Sequence, residues 1–159
     1  MSRTQEKTRW RREPELPPEV FAALHKPNRA IRPVTIVATV DEEVTPRTAP
    51  FGSLRAVTPR LLRLACNHHH DTYANLCRDG RVVVALLAPP NIAASIRGRA
   101  RVVKEQMETS EHLAILEIDV EEVKNDMMPR GVIEDSVGFT PPEDLAGYYL
   151  GAIAEIDHM

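Results

Sequence analysis

The segment Leu64–Leu87, LACNHHHDTYANLCRDGRVVVALL, constrains the fold more than any other. It reads as strand, polar turn, short helix, tight turn, strand. The apolar run ending at Cys66 meets Asn67–His70, which cannot continue a buried strand. Asn67 or Asp71 can cap the helix that follows, by accepting from its free backbone N–H groups. Thr72–Arg78 is long enough for about two turns, with Leu76 facing the core. Asp79-Gly80 stops it, Gly being the residue that takes a positive φ at least cost. Arg81–Leu87 is then apolar and β-branched almost throughout, the pattern of a strand buried on both faces.

Around this segment the chain is a series of strands with short turns. Pro33–Val40 is β-branched. Thr45–Val57 is a second strand, with Pro50 and Gly52 predicting a bend or bulge. Arg60–Cys66 forms a hairpin with it. Ile96–Val103 alternates strictly, with Ile96, Gly98, Ala100 and Val102 on one face and Arg97, Arg99 and Arg101 on the other. His112–Val123 is the sixth strand. Helices are predicted from Pro18, with Val20, Phe21 and Leu24 as its stripe, and from Thr140-Pro141-Pro142-Glu143, with Leu145, Tyr148, Tyr149, Ala152, Ile153 and Ile156 as its stripe. Six mostly consecutive strands favour an antiparallel sheet closing on itself as a small barrel. Residues 1–14 read as a flexible arm with Trp10 as its one large apolar residue, and 15–159 as a single domain.

Charge and motifs narrow the function. Twenty basic and 23 acidic residues leave a net charge of −3, which gives no electrostatic basis for binding nucleic acid or a membrane surface. No apolar run approaches the roughly 18 residues of a membrane span, and no signal peptide is recognisable. The two cysteines, Cys66 and Cys77, make no disulfide framework, so the expected compartment is the cytoplasm. There is no dinucleotide fingerprint, P-loop or nucleophile elbow. Adjacent histidines on extended backbone alternate faces, so His68–His70 is not read as a metal site. The start of the short helix suits an anion, with His70, Thr72 and Asn75 as side-chain donors.

The order VTIVATVDEEVTPRTAPFGSL, RLLRLACNHHHDTYANLCRDGRVVVALL, SIRGRARVV resembles the pyridoxamine 5′-phosphate oxidase-like, FMN-binding split barrels. The likeness spans Leu16–Val123. Its most specific pieces are Thr72-x-x-Asn75-Leu76, Arg78-Asp79-Gly80-Arg81-Val82 and Gly98-x-Ala100-x-Val102. The resemblance implies a six-stranded Greek-key barrel and a homodimer with FMN at the seam. His70, Thr72 and Asn75 would face the phosphate. Pro50, Phe51, Gly52 and Ser53 would lie along the ring, with Ala65, Cys66 and Asn67 on the next strand and Arg97 completing the pocket. Where relatives carry Arg or Lys before Thr-x-x-Asn, this chain has His70 and Asp71. It also lacks the arginine- and proline-containing ending of the oxidases proper, which implies another small-molecule substrate. The expected function is an FMN-dependent oxidoreductase. Relatives that use F420 or haem leave a non-catalytic binding or sensing protein as the alternative. No residue is singled out as a catalytic acid or base.

Overall fold

The computed structural model describes residues 11–159. Trp10 and most of the expected arm lie outside the described residues. Glu13 exchanges backbone hydrogen bonds with Val123 in both directions, at 2.9 and 2.7 Å. Helix α1 (Pro18–His25) is followed by a single 3-10 turn at Pro27–Arg29. The strands are β1 (Thr35–Val40), β2 (Pro46–Phe51), β3 (Arg55–Thr58), β4 (Leu61–Asn67), β5 (Arg81–Ala88), β6 (Ile92–Lys104) and β7 (Leu113–Asn125). Helix α2 (Asp71–Arg78) joins β4 to β5, and α3 (Ala146–Asp157) ends the described chain. Among the described residues no helix is long and apolar enough to cross a membrane.

All seven strands form one antiparallel sheet in the order β2-β1-β5-β6-β7-β4-β3. Its two edge strands are consecutive in sequence. Phe51 ends β2 and Arg55 begins β3, and four residue steps span at most about 14 Å. The sheet must therefore roll until its first and last strands meet, and Leu54, fully buried, plugs that corner. This is the split barrel expected, with seven strands rather than six. The bend anticipated at Pro50 and Gly52 breaks the second strand in two.

Three local expectations are corrected. Gly80 does not stop α2 through a positive φ, since no glycine has one. A Cβ there would lie 2.8 Å from the Ala100 carbonyl oxygen, so close approach of β6 is what requires glycine. Thr140 does not cap the last helix, which begins at Ala146 after a 3-10 turn at Glu143–Leu145. Residues before proline avoid the helical region, which keeps Thr140 and Pro141 out of the helix, and Pro142 is itself extended at ψ 148°. Finally, β5 is buried on one face only. Val82, Val84, Leu86 and Ala88 enter the core, while Leu87 on the other face is 60% exposed.

That bare face is continuous. Ile36 pairs with Ala85, Ala38 with Val83, and Leu87 with Ala93, so apolar side chains of β1, β5 and β6 share it. Arg97, paired with Val83, borders it.

Candidate functional site

Two depressions flank the β2 edge. The first is a cavity of about 330 Å³ lined by Ile31, Pro50, Phe51, Gly52, Ser53, Ala65, Asn67 and Leu113 on the barrel side, and by Phe139, Tyr148, Tyr149, Ala152 and Ile153 on the other. It forms because the bend after β2 and the end of β4 lie side by side. The Ser53 hydroxyl stands in for a strand partner there, accepting from the Ala65 N–H and donating to the Ala65 carbonyl, both at 3.1 Å. Ala65 and Asn67, two apart on β4, point to the same side. Cys66 between them points into the core, where burial pushes its thiol up to about 12. Cys66, expected beside the ring, therefore does not line the cavity.

The second is a polar groove of about 610 Å³ between the β1–β2 turn and α2. His70, Thr72 and Asn75 line it as expected, but His70 Nδ1 and the Asn75 amide are already engaged within the protein. His70, not Asn67 or Asp71, is the N-cap: its Nδ1 accepts from the Thr72 N–H at 3.1 Å. Asn67 Oδ1 instead accepts from the His69 N–H within the preceding turn. Asn75 is buried, donating to Thr39 Oγ1 at 3.0 Å and accepting from Arg78 at 2.8 Å. The His70 ring meets Phe51 edge-on at 5.7 Å and stands between groove and cavity.

Groove electrostatics depart from expectation. Its cations are Arg47 and Arg78, neither foreseen as site residues, set against Asp41, Glu42, Glu43 and Asp71. Hydrogen bonds from the Thr45 N–H and then Arg47 hold the Asp41 carboxyl below its usual range. Arg78 was legible in principle: it stands three residues after Asn75, on the same side of α2. Arg97 lines neither depression. It lies on the outer face of β6, its guanidinium 59% exposed and 3.5 Å from Glu122. One chain therefore brings Pro50–Ser53, Ala65 and Asn67 together, puts His70, Thr72 and Asn75 beside them, and leaves Arg97 apart.

Helix α3 is the wall the sequence did not place, although its apolar stripe was evident. It is pinned at its end. Arg63 donates to the Ile156 carbonyl at 2.9 Å and holds Glu117 Oε2 through Nε (2.9 Å) and a terminal nitrogen (2.7 Å). Cations suit a helix C-terminus. Glu155 accepts from the Glu108 and Thr109 N–H groups, the Thr109 hydroxyl and Lys104. Burial alone would raise the Glu155 pKa, but these hydrogen bonds outweigh it and carry it down to about 2. An ordinary Glu titrates near 4.3, so the stabilisation is fully present above that pH and is lost as pH falls toward 2. We expect the near-ultraviolet circular dichroism of Tyr148 and Tyr149 to weaken across that window, and Glu155→Gln to flatten the change.

Residues 16–137 match the family model for pyridoxamine 5′-phosphate oxidase. No curated protein matches the chain. Among solved structures, HupZ from Group A Streptococcus is similar with a TM-score of 0.59 and 18% identity, over 77% of this chain and 99% of that one. An F420 reductase gives 0.56 and 14%, over 69% and 98%. An FMN-binding protein from Syntrophomonas wolfei subsp. wolfei gives 0.55 and 15%, over 70% and 89%. Identities at this level establish the fold. Helix α3 lies beyond the matched residues.

Proposed function

The chain belongs to the pyridoxamine 5′-phosphate oxidase family, and we propose that it binds FMN as a homodimer and acts as an oxidoreductase on a small molecule. The observation that carries this reading is the convergence of two separate segments, Pro50–Ser53 and Ala65/Asn67, on one cavity of about 330 Å³. Ligand pockets commonly run from about 300 to 1,000 Å³ with mostly apolar walls, and this one is large enough for a planar ring. The similarity to an FMN-binding protein and an F420 reductase supports a flavin-type ring. FMN is the choice because the cavity opens beside a polar groove, with His70 between them.

When bound, FMN supplies the hydride chemistry. The chain's residues position it and exclude water. Phe51 and Gly52 form one side of the slot, and Tyr149 and Ile153 of α3 close the other. The phosphate end requires a second copy. Four carboxylates face two arginines in the groove of one chain, a balance that disfavours an anion. Arg97 is an exposed cation paired directly across from Val83 on the bare face of Ile36, Val83, Ala85 and Leu87. Stacking that face on a second copy buries the exposed apolar side chains and offers Arg97 to the partner's groove.

Two measurements test this. Light scattering should give twice the 17.8 kDa chain mass. Leu87→Asp should return a folded monomer whose FMN affinity falls at least about tenfold, roughly 1.4 kcal/mol. A monomeric wild type with full FMN affinity would sink the shared site.

A further inference from the structure

Behind the bend that walls the cavity lies a buried cationic cluster with no place in the account so far. Lys26 caps the C-terminus of α1 and is 3% exposed; Arg55 begins β3 and is 2% exposed. Lys26 Nζ donates to the carbonyls of Ile31 and Gly52, each at 3.2 Å, and both residues line the cavity. Arg55 donates to the carbonyls of Ala30 (2.7 Å), Lys26 (3.2 Å) and Ser53 (3.5 Å). Its Nε lies 3.0 Å from Asp157 Oδ1 at the end of α3 but lacks hydrogen-bond geometry. One cluster thus ties together three walls: residues 30–31, the Gly52–Ser53 bend and α3.

The charges do not balance. Lys26 and Arg55 face a single carboxylate, Asp157, which is itself 34% exposed. Nearby Arg63 is matched by Glu117, and His25 is engaged through Nδ1 by the Ala56 carbonyl. With Lys26 protonated, one positive charge is left in excess, held on the carbonyl of a residue that lines the cavity. Both side chains are almost fully buried, so screening is weak and the field acts on whatever the cavity holds.

Resting on the reading of the cavity as a flavin site, we infer that Lys26 and Arg55 are positioning residues: they draw the Gly52 and Ser53 carbonyls away from the cavity, and their excess charge favours the anionic form of the bound ring. The state of Lys26 agrees with this. Burial, and then the adjoining Arg55 charge, bring its ammonium down to about 7. Near neutrality it therefore gains a proton when negative charge appears in the cavity. Arg55, Asp157, His25 and Arg63 are the charged or titratable groups facing it from β3, α3, α1 and β4.

The test is the midpoint potential of FMN bound to the full chain at pH 7, with dithionite as reductant. Reduction adds two electrons and one proton to the ring, leaving it one unit more negative. Lys26→Met should reduce the preference for reduced over oxidised FMN about tenfold, a potential about 30 mV lower. Asp157→Asn, which removes the counter-charge from a partly exposed position, should move the potential the opposite way. Opposite shifts are not produced by a purely structural role, and the second variant keeps the test alive if Lys26→Met folds poorly. Unmoved potentials in both variants, with FMN bound, overturn the cationic backing alone. A wild type that takes up no FMN overturns it together with the reading of the cavity.

Discussion

Glu117→Ala is expected to cost about 3–5 kcal/mol of stability, the usual penalty for breaking a buried ion pair from one side. Arg63 and Glu117 are each about one-tenth exposed and joined by two short hydrogen bonds to one carboxylate oxygen. Removing the carboxylate leaves the Arg63 guanidinium without a counter-charge inside the protein. Arg101 also loses an acceptor, though it keeps Asp119 at the surface. The loss reaches the cavity, because the same Arg63 holds the Ile156 carbonyl and with it the end of α3. The measurement is the urea midpoint, which should fall with little change in slope. Glu117→Gln, which retains an acceptor for Arg63, should lose less.

The elements that could be read from the chain were those set by local pattern. β-branched runs and strict alternation gave the strands, and the Pro50–Gly52 pair gave the bend that closes the barrel. The outer face of β5 was misread for a physical reason. Its composition is that of a strand covered on both sides, yet Leu87 stays exposed in a single chain; the proposed dimer would supply the covering. The family resemblance named Pro50–Ser53, Ala65 and Asn67, and these do meet at one cavity. It could not foresee that His70 Nδ1 and the Asn75 amide would be engaged inside the protein. Nor could it place α3 over the cavity, since what a helical stripe packs against is decided by contacts far apart in sequence. Lys26 was the least legible residue. Between His25 and Pro27 it reads as a solvated helix end, and only the return of Ile31, Gly52 and Arg55 around it makes it buried.

Filling the cavity should weaken ligand binding while sparing the fold. Asn67 is exposed and shares its face of β4 with Ala65, so an indole at this position enters the cavity without disturbing the core. The cost to the fold is its hydrogen bond with the His69 N–H, worth about 1 kcal/mol. The cost to the ligand is steric. Overpacking of about 1–3 kcal/mol corresponds to a loss of roughly ten- to a hundred-fold in affinity.

The most direct test is an FMN titration of wild type and Asn67→Trp, followed by the visible absorption of the flavin, with circular dichroism confirming that both are folded. The account predicts one FMN per chain in wild type, with a perturbed flavin band, and binding at least about tenfold weaker in the variant. Equal FMN binding by the two proteins, or none by wild type, would contradict it.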